Sequence, residues 1–225
     1  VYERQTGRLP VEYAQHDLHL LLGPADTLAQ RLYAAAKRAM DIALALVGLW
    51  ALGCVTPAVA VLNALFSSGP LFYRQQRVGK GGQSFAVTKF RSMVPNAEAG
   101  TGAVWCEERD PRVTFVGQML RRTRLDELPQ VINVLRGEMS IVGPRPERPR
   151  FVGQLGRVIP LYRARHAVKP GLTGWAQVHY RYGSSVEDAR IKLEYDLYYV
   201  KHASLFLDLL TVLHTVRTVL GLKGQ

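Results

Sequence analysis

KRAMDIALALVGLWALGCVTPAVAVLNALFSSGPLFYR, residues 37–74, decides the architecture. From Ile42 to Tyr73 it carries no charged side chain. That is longer than the about 20 apolar residues a bilayer-crossing helix needs. Two features argue against a simple crossing. Thr56-Pro57 falls near the middle, where proline removes a helical hydrogen bond and kinks the chain. Basic residues also flank both ends: Arg31, Lys37 and Arg38 before, Arg74, Arg77 and Lys80 after. Such clusters stay on the cytoplasmic side of a membrane, and one crossing cannot leave both there. A helix that enters, breaks at Pro57 and returns to the same face satisfies both facts. Each arm of about 15 residues would reach about 22 Å, short of the roughly 30 Å hydrocarbon core. The Thr56 hydroxyl is the expected partner for a carbonyl freed at Pro57. An ordinary kinked span and a buried soluble helix are the alternatives.

Outward from this run, Ser67-Ser68-Gly69-Pro70 reads as a turn and Gly79-Lys80-Gly81-Gly82 as a hairpin turn, since it lacks the Gly-Lys-Ser/Thr end of a phosphate-binding P-loop. In the strand that follows, Phe85, Val87, Lys89 and Arg91 alternate onto one face, so Lys89 and Arg91 are expected to project together toward a phosphate. A helix from about Phe115 to Arg122 leads into RRTRLDELPQVINVLRGEMSIVGPRPERP, residues 121–149. Asp126 and Glu127 stand there behind Arg121, Arg122 and Arg124, and Pro129 suits a first helical turn. A helix opening near Asp126 would aim its N–H groups at an anion. Arg145 and Arg148 sit in a loop stiffened by Pro144, Pro146 and Pro149. A carboxylate among arginines reads as a nucleophile or metal ligand between phosphate clamps; adjacent acids in a first turn are otherwise ordinary caps.

The 225 residues suffice for one good core, or a core and an appendage. Lysines and arginines number 29 against 18 acids, a formal charge of +11, which suits an anionic membrane face, phosphorylated substrates or nucleic acid. The chain has no zinc-finger, RNA-recognition or basic-zipper pattern, and a nucleic-acid binder leaves the apolar run without a task. Cys54 and Cys106 are expected as free thiols in a reducing compartment, and the histidines show no metal-ligand spacing. Residues 1–26, with Gly7, Pro10, Gly23 and Pro24, read as an extended piece and linker. Beyond Pro149, helices are expected over Phe151–Arg165 (interrupted at Pro160), Val186–His202 and Ser204–Leu222, with a Pro-Gly turn and a short strand after Lys169. Arg181, between Tyr180 and Tyr182, would reach a phosphate or nucleotide, or stack on its neighbours. The last helix has a broad apolar face that suits the membrane, the core or a second copy, so a homodimer stays among the readings.

Taken in order, several motifs resemble the monotopic phosphoglycosyl transferases, the bacterial sugar transferase family that starts lipid-linked glycan assembly. They are Lys37-Arg38-x-x-Asp41, the proline-broken run, Lys89-Phe90-Arg91-Ser92-Met93, Leu125-Asp126-Glu127-Leu128-Pro129-Gln130, Asn133-Val134-Leu135-Arg136-Gly137, Gly143-Pro144-Arg145-Pro146 and Lys169-Pro170-Gly171-Leu172-Thr173-Gly174-Trp175-Ala176-Gln177. The resemblance covers about Lys37 to Leu222. It implies an α+β, mostly helical domain on the cytoplasmic face of the cell inner membrane, anchored by a re-entrant helix. Expected boundaries are a linker over 1–30, the interfacial and membrane helix over 31–66, the catalytic domain over 67–203 and the last helix over 204–225.

The resemblance further implies transfer of a sugar-1-phosphate from a UDP-sugar to undecaprenyl phosphate, with Mg²⁺ as cofactor. By it Asp126 is the nucleophile and a metal ligand, Glu127 completes the dyad, and Lys89, Arg121, Arg145 and Arg181 bind phosphate or nucleotide. Arg38 and Asp41 support the membrane helix. One departure is the thirty-odd residues ahead of the Lys-Arg motif. The opening Tyr2-Glu3-Arg4-Gln5-Thr6-Gly7-Arg8 resembles longer relatives that carry upstream membrane helices and serve exopolysaccharide or capsule export, so a truncated catalytic portion is expected. The alternative of another class is a non-catalytic, basic membrane scaffold.

Overall fold

The computed structural model describes residues 2–16, 27–67, 69–100, 110–180 and 185–221. Two short helices, α1 (Tyr2–Thr6) and α2 (Val11–His16), open the chain. The first part of the stretch expected as linker is docked: Leu9, Val11 and Ala14 are buried beside Phe151, Leu155, Leu193 and Leu197. The indole N–H of Trp175 donates to Gly7 O at 2.9 Å. Gly7 sits at φ +63°, where an added Cβ would come within 3.0 Å of that nitrogen, so glycine meets both demands.

Helix α3 (Leu28–Phe66) begins at a capping box in which Thr27 and Gln30 bond reciprocally. The break expected at Pro57 is corrected by the structure: α3 runs through it as one helix of 39 residues. Proline deletes a single bond, the one to Gly53 O, while the turns on either side keep theirs. The Thr56 hydroxyl donates to Leu52 O at 2.6 Å, one residue short of the carbonyl that Pro57 frees. Asp41, Ala45, Leu52, Val59 and Asn63 are buried. Their spacings of four and seven put them on one face, and that face lies on the domain. Leu46, Val47, Trp50, Val61, Leu65 and Phe66 are exposed, an apolar surface of the kind that marks membrane or partner contact.

Strands β1 (Phe72–Val78) and β2 (Ser84–Phe90) form the expected antiparallel hairpin, with Tyr73 opposite Lys89. Its turn uses Gly81 and Gly82 at positive φ. Helix α4 (Phe115–Arg122), a 3₁₀ turn (Leu125–Gln130) and α5 (Val131–Arg136) follow. Strand β3 (Ser140–Val142), α6 (Pro149–Val158), a 3₁₀ turn (Tyr162–Ala167) and β4 (Gly171–Thr173) come next. The short α7 (Trp175–His179), α8 (Val186–His202) and α9 (Leu205–Leu220) close the order. Strands β3 and β4 pair in parallel, so close that a Cβ on Gly171 would lie 2.1 Å from Gly143 N. The mostly helical α+β character is as expected. Residues 101–109, with Trp105 and Cys106, lie outside the described residues, and Cys54 is a free, exposed thiol.

Two apolar clusters hold these elements. One gathers Ala45, Leu52 and Val59 of α3 with Val87, Phe90, Val116, Leu120, Val131 and Val134. The other joins the N-terminal stretch to α6 and α8. The first carries the candidate site on its surface.

Candidate active site

Asp126 and Glu127 occupy the first turn of the 3₁₀ segment, entered through Arg124 at φ 61°. A positive φ is uncommon outside glycine; here it reverses the chain between α4 and the acids. Both acids are 8% exposed, buried yet not sealed. Glu127 takes up cations from two directions. Lys89 Nζ of β2 lies 2.7 Å from its Oε1. Arg145 grips it with both guanidinium nitrogens, Nη1 donating to Oε2 at 3.0 Å and Nη2 to Oε1. The Pro-Arg-Pro loop and the hairpin thus meet on a carboxylate that sequence order separates by 38 residues from the lysine and 18 from the arginine.

Asp126 has a different environment. Among the described residues no hydrogen bond or ion pair ties down its carboxylate, although Lys89, Arg145 and Arg121 all act on it through space. Burial, then the charge of Glu127, push its carboxyl above the ordinary value against those cations. For Glu127 burial works in the same upward direction, but Arg145 and Lys89 outweigh it and hold that carboxyl well below the ordinary range. One acid is therefore a fixed anchor for cations. The other is an untethered, more basic anion, which suits a nucleophile.

Arg121 reaches the site from α4, where its Nε donates to Ser92 Oγ at 2.9 Å. Arg91, expected beside Lys89, turns the other way. Its guanidinium donates to Pro70 O (2.6 Å), Met93 O (3.0 Å), Asn63 Oδ1 (2.7 Å) and Ser67 O (2.9 Å). The reason is local: β2 ends at Phe90, so the alternation that aims Lys89 no longer governs Arg91. Arg91 is instead the clasp at the C-terminal end of α3. Arg181 lies outside the described residues.

At the other end of α3, Arg38 donates to Val134 O (2.7 Å) and Leu135 O (2.8 Å), carbonyls at the end of α5. The buried Asp41 accepts from Ser140 Oγ (2.9 Å) and Ile141 N (2.8 Å). Both tie α3 to the domain. Thr56 and Pro57 belong to the middle of α3 and not to the acid cluster.

Sequence reasoning assigned no contact at or near this site to three residues that the structure places in buried or part-buried networks. Asn133 is buried in α5 and donates to Ala86 O (2.8 Å) and Glu138 Oε2 (2.7 Å), pinning β2 and hence Lys89. Ser92 orients Arg121. Lys37 sits 2.9 Å from the buried Asp208 of α9 and donates to Val142 O at 3.1 Å. A buried asparagine interrupting an apolar helical pattern was the legible signal for the first.

Among the described residues no group of three or more His, Cys, Asp or Glu stands together to hold a metal. With both Glu127 oxygens engaged, Asp126 is the carboxylate left for a cation among the described residues of this site. A single carboxylate would suit Mg²⁺, because this ion keeps waters and takes one or two carboxylates.

Residues 32–222 match the sequence model of a family described as bacterial sugar transferase. The chain is 46% identical over 220 residues to the UDP-N-acetylgalactosamine-undecaprenyl-phosphate N-acetylgalactosaminephosphotransferase of Aeromonas hydrophila, covering 98% of this chain and 51% of that protein. It is 41% identical over 221 residues to the UDP-glucose:undecaprenyl-phosphate glucose-1-phosphate transferase of Xanthomonas campestris pv. campestris, covering 97% and 44%. A shorter relative, the exopolysaccharide production protein PSS of Rhizobium leguminosarum bv. phaseoli, is 41% identical over 185 residues, covering 80% of this chain and 92% of its own length. The chain thus spans about half the length of the first two.

Proposed function

Because the chain belongs to the bacterial sugar transferase family, we propose that it moves a sugar-1-phosphate from a UDP-sugar to undecaprenyl phosphate, releasing UMP. The observation that carries this reading is the division of labour between adjacent acids: Glu127 bound by Lys89 and Arg145, Asp126 buried but untethered. An Oδ of Asp126 attacks the phosphorus that bears the sugar. The bond from that phosphorus to the bridging oxygen breaks, and UMP departs with the electron pair. A phosphate oxygen of undecaprenyl phosphate then attacks the same phosphorus, the acyl phosphate bond opens, and Asp126 is regenerated as carboxylate. Two steps replace one displacement between a lipid phosphate and a sugar diphosphate.

Lys89, Arg145 and Arg121 supply positive charge where the diphosphate would lie and where charge builds on the transferring phosphoryl group. Glu127 keeps Lys89 and Arg145 converged on that place. Asp126 would hold Mg²⁺ with the diphosphate, and the ion would offset phosphate charge.

We place the domain on the cytoplasmic face of the inner membrane with α3 re-entrant, entering and returning by a proline bend at Pro57 that leaves the helix unbroken. Support comes from the two ends of α3: Arg38 and Asp41 are fastened to α5 and β3, and Asn63 to Arg91, all on one domain. The relatives' names point to N-acetylgalactosamine, glucose and exopolysaccharide production, so we propose the first membrane step of exopolysaccharide assembly with one of these or a similar sugar.

The test is UMP release in nanodiscs with undecaprenyl phosphate, Mg²⁺ and a panel of UDP-sugars, the Asp126→Asn protein alongside. Release by the parent and none by the variant is expected, and the panel names the sugar. Equal release by both would remove Asp126 as nucleophile. No release with any sugar would turn the reading toward a scaffold.

A further inference from the structure

Arg145 is held by its backbone as well as by its side chain. The loop Gly143–Pro149 is poor in donors, since Pro144, Pro146 and Pro149 have no N–H. It is fixed instead through its carbonyls from Pro144 to Glu147: Val78 N takes the last at 2.9 Å, and the three around Arg145 are each taken by a donor from elsewhere. Gly171 N donates to Pro144 O at 2.9 Å. Arg165 Nη2 donates to Arg145 O at 3.0 Å. Arg77 Nη1 donates to Pro146 O at 3.0 Å.

The middle donor is unusual for its depth. Arg165 is 6% exposed, and its counter-charge Asp196, 2.7 Å away in α8, is 2% exposed. Its Nη1 donates to Tyr162 Oη at 2.9 Å, and its guanidinium carbon lies 5.2 Å from the centre of that ring. Glu147, Lys192, Tyr162 and Leu155 line a cavity of ≈40 Å³ with this pair. Burying two opposite charges gives no stability that apolar side chains of similar volume would not give. A purely structural account leaves the choice of an arginine unexplained. What apolar side chains cannot do is donate to Arg145 O.

We propose that Arg165, neutralised by Asp196, is a positioning residue for Arg145: it fixes the backbone from behind so that the guanidinium in front meets Glu127 and a substrate phosphate. The inference rests on the transferase reading only for what Arg145 binds. The geometry of the loop stands independently of it. In front, Arg145 binds Glu127 and acts through space on Asp126 and on Arg77 of β1.

The test compares the parent, Arg165→Met/Asp196→Leu, Arg165→Lys and Arg145→Ala as full chains in nanodiscs. The double variant removes both charges together, so no lone buried ion is left to prevent folding. Hydrogen exchange in the peptide spanning 143–149 is read first, because it does not require turnover. It should quicken about tenfold in the double variant, the scale of one charge-assisted hydrogen bond. The KM for the UDP-sugar should rise by about as much, with kcat within about threefold, the pattern of lost substrate binding. Arg165→Lys, which keeps a charged donor, should recover part of both. In the Arg145→Ala background the double change should add nothing, since a residue that acts only through Arg145 has no further effect. Unchanged exchange in the loop overturns the proposal, and so do losses that simply add in that cycle. If the parent releases no UMP from any UDP-sugar, the transferase reading fails, and the positioning of Arg145 is decided by exchange alone.

Discussion

Asp126 and Glu127 are neighbours in sequence with equal exposure, yet the structure gives them opposite energetic signs. A carboxyl whose pKa is raised by folding destabilises the protein at every pH above that raised value, and the cost fades as pH falls through it. Asp126 is such a group, so Asp126→Asn is expected to abolish turnover while raising Tm. Glu127 is the reverse case, a lowered carboxyl whose contribution is present at neutral pH and lost as pH falls through its folded value. Glu127→Gln should cost about 3 kcal/mol, the low end for breaking a buried pair, because Lys89 and Arg145 keep partial exposure. Thermal unfolding of the two variants checks both signs. His166 gives a separate pH signature. Burial, with Arg165 and Arg163 nearby, lowers it from 6.5 to about 4. Between those values the unfolded chain binds the proton and the folded one does not, so stability falls as pH drops from 6.5 to about 4. Tm measured against pH should fall less steeply for His166→Gln over that window.

At the scale of elements, one contact decides how α4 delivers Arg121. Gly117 lies against the Ser92 carbonyl, where an added Cβ would come within 1.9 Å of the oxygen. That same carbonyl accepts from Thr114 N at 3.0 Å, at the start of α4. Gly117→Ala must push the helix away, with a cost of about 1–3 kcal/mol typical of overpacking. Because Arg121 would move with it, UMP release should fall about tenfold or more; calorimetry and the release assay read the two effects. Helices α8 and α9, the hairpin and the short parallel strand after Lys169 were legible as elements, because their periodicity and turn residues are local signals. Arg91 was not. Strand alternation assigns it to the face of Lys89, but the strand ends one residue earlier and Asn63, 28 positions away, claims the guanidinium.

For the whole molecule, the fastening of both ends of α3 to one domain makes the topology measurable. Single cysteines at Arg31 and Gln75, in a background lacking Cys54 and Cys106, should both react with a membrane-impermeant thiol reagent in inside-out vesicles. Neither should react in right-side-out vesicles. Reaction on opposite sides would replace the re-entrant arrangement with an ordinary span. The N-terminal stretch belongs to this scale as well. Its Leu9 and Val11 complete a core with α6 and α8, and Arg8 pairs with Glu194. Glycine and proline breakers suggested only a linker there, because nothing local in residues 7–14 announces the surface on which they dock.

The sequence by itself determined the apolar helix, the acid pair among basic residues, the stiff Pro-Arg-Pro loop and, through ordered motifs, the family. All of these are written in spacing and composition along short stretches of chain. Only the tertiary structure decided which acid the cations hold, that α3 passes through Pro57 as one helix, and that Arg165 backs Arg145. The physical reason is common to these cases. Burial and charge pairing depend on side chains brought together from distant positions, and a buried group is assigned its task by the partners that fill its shell.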